Sequence, residues 1–194
     1  MVDIAFALVG EGLPREHRRA LAAALDSALP SLAGLSGLGV HGLNVSAGDG
    51  PQALLSRRTR LTLRVPRRHA VAVMALAGAR LQVGPGVLSV GAPQQRELLP
   101  HGTLYAHLVA ADGADEVVFM ATVEAELGAL GVRCRPICGR HRVLASDGLQ
   151  GFGLMLDGLT EAASRRVLES GLGGHRRLGC GVFVPHKSAV AVGA

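Results

Sequence analysis

Between Gly171 and Phe183 the chain runs Gly-Leu-Gly-Gly-His-Arg-Arg-Leu-Gly-Cys-Gly-Val-Phe, with five glycines and two arginines. A backbone so bare of side chains lets its N–H groups converge on an anion, and adjacent guanidiniums add charge. The chemistry is phosphate binding, by Gly171, Gly173, Gly174, His175, Arg176, Arg177, Gly179 and Gly181. A second stretch carries Arg57, Arg58, Arg60 and Arg64, continued by Arg67 and Arg68, with no acid among them. Such a row repels itself unless an anion lies along it. The third chemistry is proton transfer, for which histidine is suited because it titrates near neutrality. Of eight histidines, His41 sits in the glycine-flanked segment Gly39-Val40-His41-Gly42, where an uncrowded backbone lets a substrate approach closely. Tyr105, the single tyrosine, shares a strand face with His107 by the two-residue period of an extended chain.

The order of elements around the glycine loop says which phosphate. A dinucleotide site needs strand, glycine turn, then helix, so that the pyrophosphate meets the helix N-terminus. Here a helix pattern over 160–170 precedes the loop and a strand pattern over 180–184 follows it, and no Gly-Lys-Ser/Thr occurs. A polymer backbone lying across the loop fits better than a nucleotide cofactor, and the sequence calls for no cofactor.

Composition narrows the partner further. The net charge is +5, and Lys187 is the only lysine against nineteen arginines among the 20 basic residues. Arginine meets phosphate oxygens two at a time and stacks on exposed bases, which favours nucleic acid. A GC-rich genome also replaces lysine by arginine throughout, so the clustering carries the argument. With no Trp, one Tyr and four Phe, the chain has few platforms on which bases could stack. Backbone charge and shape must then do the recognition. Cys134, Cys138 and Cys180 suit a reducing cytoplasm, and the spacing Cys134-x3-Cys138-x2-His141 leaves a zinc reading open beside that of plain thiols. The apolar run 70–79 is too short to span a bilayer, and the N-terminus has no basic leader, so the expected location is cytoplasmic, with no membrane partner.

The elements that must position these groups follow from periodicity. Residues 2–9 read as a strand, and Pro14 opens a helix with Leu21, Leu25 and Leu29 on one face. A short strand follows at 40–46. Residues 58–65 alternate, Leu61, Leu63 and Val65 facing one way and Arg58, Arg60, Thr62 and Arg64 the other. A helix over 67–77 and strands over 80–83 and 87–92 complete a β-α-β-β-α-β order, the ferredoxin-like one. The order recurs after a join: a strand over 103–110, a helix over 115–130, a hairpin of 132–137 with 142–145, a strand over 152–157, the helix, the loop and the last strand. The fold class is α+β, two tandem ferredoxin-like (βαββαβ) domains over 1–93 and 103–194, a linker over 94–102 and the C-terminal glycine-rich loop.

The glycine loop at 171–183, Gly39-Val40-His41, the arginine strand 58–64, Thr103-Leu104-Tyr105 and Gly151-Phe152-Gly153, in that fold order, resemble the CRISPR-associated repeat-RNA endoribonucleases. These form the sixth Cas family, within the superfamily of repeat-associated RNA-binding proteins, and the pattern looks most like the short subgroup named for myxobacterial CRISPR systems. The resemblance implies excision of guide RNAs from a precursor by cutting within each repeat, without metal, the 2′-hydroxyl attacking the adjacent phosphate to leave a cyclic phosphate. It implies that His41 and Tyr105 are catalytic, because the family places its histidine just after the first helix and a tyrosine often assists. Its usual supporting lysine has no counterpart near His41, and Arg57 or Arg58 is the expected substitute. The implied partners are CRISPR repeat RNA, both precursor and product guide RNA, and other subunits of an interference complex. Two other readings keep the fold: a guide-RNA-binding subunit that does not cut, and a ferredoxin-like domain that binds a small anion.

Overall fold

The structure is a computed structural model that describes residues 1–48, 51–145 and 147–187. It divides into two compact units, Met1–Glu97 and Leu98–Ala194.

In the first unit, β1 (Val2–Val9) leads through β2 (Leu13–Pro14) to α1 (Arg18–Ala28), followed by β3 (Gly39–Val40), β4 (Ser46–Ala47), β5 (Gln52–Leu54) and β6 (Arg60–Val65). Then come α2 (Ala70–Met74), β7 (Arg80–Val83) and β8 (Gly86–Glu97). The main sheet has the order β3-β6-β1-β8-β7, all antiparallel, which is the ferredoxin-like order with β7 added at one edge. β2, β5 and β4 form a separate small sheet. Alternation sends Val2, Ile4, Phe6 and Leu8 of β1 and Leu61, Leu63 and Val65 of β6 into one core with Leu21 and Leu25 of α1 and Val73 of α2. The other face of the sheet carries Asp3 on β1 and Arg60, Thr62 and Arg64 on β6. Pro14 lies in a strand, not at the start of α1. The residue before that helix is His17, a buried side chain whose Nδ1 is 2.9 Å from the Pro14 carbonyl oxygen.

β8 is longer than its periodicity suggests. It pairs with β1 as far as Glu97, so residues 94–97, expected in a linker, are ladder residues of the first unit. Pro93 interrupts nothing, because proline is tolerated where the strand is irregular, and the β1–β8 register shifts just beside it.

In the second unit, β9 (Thr103–Ala110) is followed by α3 (Glu116–Ala129), β10 (Arg135–Leu144), β11 (Leu149–Asp157), α4 (Glu161–Ser170) and β12 (Val184–Pro185). The sheet order β10-β11-β9-β12 is again ferredoxin-like. Asp115 caps α3 by accepting from the amides of Val117 and Val118, and Thr160 caps α4 by accepting from that of Ala163. Leu104, Ala106, Leu154 and Leu156 pack against Phe119, Val123 and Leu127 of α3 and Val167 and Leu168 of α4. The hairpin expected within 132–145 is instead one strand, β10, whose pairing with β11 slips between Cys138 and His141. That slip is a bulge, and it breaks the alternation on which the hairpin reading rested. The last strand is also shorter than expected: Cys180–Phe183 is buried irregular backbone, and only Val184–Pro185 pairs, with β9.

Candidate nucleic-acid interface and catalytic residues

In the first unit, β6 pairs Arg64 with Asp3 of β1 on one side and with Gly39 of β3 on the other. Directly paired residues share a face, so the Arg64 and Asp3 side chains meet. Arg64 Nε donates to Asp3 Oδ1 at 2.8 Å and Nη2 to Oδ2 at 2.9 Å, a two-pronged charge pair. Arg64 is 1% exposed. It is therefore withdrawn from the RNA-binding set: its guanidinium is committed to a carboxylate inside the protein.

His41 follows β3 and extends its pairing, its amide donating to the Thr62 carbonyl at 2.9 Å. Two residues beyond Gly39, it falls on the face that carries Arg64 and Asp3. Its Nε2 lies 3.4 Å from Asp3 Oδ2, an ion-pair distance without the alignment of a hydrogen bond, and that nitrogen is buried. The His41 side chain as a whole is 15% exposed. Burial alone would raise the Asp3 carboxyl, but the hydrogen bonds from Arg64 and the nearness of His41 outweigh it and hold the group well below the usual carboxylate range.

Around this cluster the arginines divide. Arg57, Arg58, Arg60, Arg67 and Arg68 are exposed. Arg67 pairs with Glu97, and Arg60 turns back to donate to the carbonyls of Arg57 and Thr59 at 2.8 and 2.9 Å. The row has no acid among its own residues, but the fold brings one to two of its positions, Asp3 to Arg64 and Glu97 to Arg67, from strands distant in sequence. Among the described residues Arg57, Arg58, Arg60 and Arg68 have no acidic partner. β8 adds Arg96, exposed and in register with Asp3, a basic residue that sequence reasoning missed. Asp3 was missed as well, although it is the one charge in β1, which is the signal that could have found it.

In the second unit, the glycine loop is anchored at both ends and open at its apex. Gly171 and Gly181 have φ of 68° and 61°. A Cβ at Gly181 would lie 1.8 Å from the Leu172 carbonyl oxygen, and one at Gly171 would lie 2.3 Å from that of Gly181. These two glycines let the loop's ends cross backbone to backbone, a packing demand and not a phosphate contact. The Arg176 guanidinium is buried and packs on Gly171, so it too is turned away from solvent. Arg177 and Gly179 are half-buried. Gly173 is half-buried too, and what reaches the surface is Gly174 and His175, the latter in the left-handed region at φ 63°. The Gly173 amide donates to Glu126 Oε2 of α3 at 2.6 Å, so one donor of the loop already holds a carboxylate. The amides of Gly174 and His175 have no protein partner among the described residues, and these are what the apex offers an anion. Beside it lies a cleft of about 520 Å³ bordered by Asp112, Phe119, Thr122, Glu126 and Gln150.

Tyr105, on β9, lies with its ring 4.9 Å from that of His107 and 5.4 Å from that of His186. Its hydroxyl rests over Gly153, where a Cβ would be 2.8 Å away. Cys134, Cys138 and Cys180 form no disulfide, and burial pushes the Cys134 and Cys138 thiols up. Among the described residues no cluster of three His, Cys, Asp or Glu could hold a metal, and no helix is long and apolar enough to cross a membrane.

The sequence pattern of the Cas6 CRISPR family matches residues 2–188. The chain is 37% identical over 194 residues to a CRISPR-associated endonuclease Cas6 of Myxococcus xanthus (strain DK1622), over 98% of this chain and 84% of that protein. Among solved structures, a CRISPR-associated protein Cas6 aligns with a TM-score of 0.64 at 11% identity, over 96% of this chain and 99% of that one. A Cas6-related protein from Pyrococcus furiosus aligns at 0.62 and 10%, over 94% and 97%. The CRISPR endoribonuclease Cse3 bound to a 19-nucleotide RNA aligns at 0.52 and 16%, over 95% and 98%. At such identities the likeness to these structures is one of fold.

Proposed function

This chain belongs to the Cas6 family, and from that premise we propose that it is an endoribonuclease that cuts CRISPR precursor RNA within its repeats to release guide RNAs. The relative from Myxococcus xanthus, similar over nearly the whole chain, bears the name of an endonuclease, and this supports the activity. The observation that carries the catalytic assignment is His41 itself: a half-buried imidazole at the edge of a sheet face that also bears exposed arginines, held by a buried charge pair.

The reaction is a metal-independent transesterification. The 2′ oxygen bonds to phosphorus as its proton passes to His41, and the bond from phosphorus to the 5′ oxygen breaks. The products are a 2′,3′-cyclic phosphate and a 5′-hydroxyl. The leaving oxygen takes up a proton from water, His41 returns its own proton to water to reset, and Tyr105 is assigned an assisting role. Proton transfer by a positioned group is worth about 10²- to 10⁴-fold. Arg57, Arg58, Arg60, Arg67 and Arg68 hold the RNA backbone, and the apex takes one phosphate through the backbone amides of Gly174 and His175. A repeat hairpin is recognised by its shape and backbone. The product guide RNA and other subunits of an interference complex are the further partners.

Purified protein incubated with its own repeat RNA in EDTA is expected to cut it and leave a cyclic phosphate end. Cutting that requires magnesium overturns the metal-independent mechanism. Tight binding without any cutting supports instead a guide-RNA-binding subunit that does not cut.

A further inference from the structure

The arrangement around His41 contains more than the reaction above uses. Asp3 is the only charged residue in an otherwise apolar strand, and Arg64 is nearly inaccessible, so the pair is costly to bury. A buried pair of this kind contributes little stability relative to apolar residues of the same volume, which leaves its presence to be explained. Gly39, opposite Arg64 in register, brings no side chain to that position, and the next residue of that face on the strand is His41. The Arg64 fork takes one contact from each Asp3 oxygen, which fixes the plane of the carboxylate. The oxygen facing His41 is then Oδ2, at 3.4 Å from a buried Nε2.

A histidine whose one nitrogen is buried against a carboxylate has only the other with which to meet a substrate. A carboxylate is an acceptor, so the nitrogen facing it carries hydrogen, and the tautomer follows from that contact. We propose that Asp3, oriented by Arg64, is the positioning residue of His41, keeping hydrogen on Nε2 so that Nδ1 is the nitrogen that takes the 2′-hydroxyl proton. When the proton arrives on Nδ1, the ring becomes a cation facing Asp3, and the carboxylate stabilises it without itself becoming protonated, as an aspartate does behind a catalytic histidine elsewhere. No substrate atom touches Asp3 or Arg64 in this scheme. The inference rests on His41 being the proton carrier.

The test uses the whole chain and its repeat RNA. In the wild-type protein at alkaline pH, the 15N spectrum of His41, assigned by its loss in His41→Ala, is expected to show the Nε2–H tautomer. Asp3→Asn is expected to lower the single-turnover cleavage rate by about 10-fold or more, leaving RNA affinity within about twofold. Because Asp3→Asn leaves Arg64 half-paired, the double variant Asp3→Leu/Arg64→Met, which removes both charges, is the companion. It is expected to melt like the wild type and to lose the same rate. In a His41→Ala background, Asp3→Asn is expected to change the residual rate no further. An Nδ1–H tautomer overturns the proposal, as does wild-type cleavage by a folded Asp3→Leu/Arg64→Met protein while His41→Ala is inactive. If His41→Ala itself cuts normally, the catalytic assignment of His41 falls, and this inference with it.

Discussion

The two units share one strand order, and each puts residues of a single type to two opposite uses, arginine in the first unit and glycine in the second. In the first, a sheet face bears charge, and one arginine of that face, Arg64, is drawn inward by Asp3 while the other, Arg60, stays exposed. In the second, the glycines of one loop divide the same way. Gly171 and Gly181 allow the ends to cross, while Gly174 has open space around the position of a missing Cβ. Residues of one type, a few positions apart, thus serve packing in one case and can face a ligand in the other. The residue type names the chemistry available, and burial decides whether a ligand can reach it.

That division can be broken by paired substitutions. The largest effect is expected at His41, where His41→Ala lowers the cleavage rate by about 10³-fold or more. Next is the arginine pair. Arg64→Gln is expected to cost about 3 kcal/mol or more in denaturant unfolding, because it strips a buried carboxylate of its partner, while Arg60→Gln leaves the midpoint unchanged. Equal melting of these two variants would erase the distinction between them. The glycine pair follows. Gly181→Ala forces a backbone overlap at a positive φ and is expected to cost about 2 kcal/mol or more, whereas Gly174→Ala stays within about 0.5 kcal/mol and weakens RNA binding only modestly.

A pH series sharpens the same contrast. Asp3 has its carboxyl held low in the folded protein, so its contribution to stability is complete above its unfolded value of about 4 and is lost as pH falls toward the depressed folded value. Urea unfolding between neutral and strongly acid pH is expected to show a loss in the wild type that Asp3→Leu/Arg64→Met does not share. The smallest effect is electrostatic. Binding to single-stranded repeat RNA is expected to weaken with salt, and replacing one exposed arginine such as Arg58 by Gln should flatten the log–log slope by about 0.7. Arg64→Met, in the companion double variant, should leave the slope alone.

Much of the architecture was legible in the chain. The strand of alternating residues at β6, the helix face of α1 and the repeated βαββαβ order all follow from hydrophobic period, which local sequence records directly. Three things were not. The bulge in β10 breaks the alternation, so one strand looked like two. The end of β8 is polar, so ladder residues looked like a linker. The partners of Arg64 and Arg67 come from β1 and β8, and no local window contains them. The glycine loop was legible as a loop, but its glycines' separate duties depend on which carbonyls they pass, and only the fold supplies those.

The measurement that bears most directly on the account is a parallel determination of single-turnover cleavage and RNA affinity for wild type and His41→Ala on repeat RNA in EDTA. Rapid cutting to a cyclic phosphate by the wild type, almost none by His41→Ala, and equal affinity for both are expected. Equal cutting by the two proteins, or cutting by neither until magnesium is restored, would contradict the account.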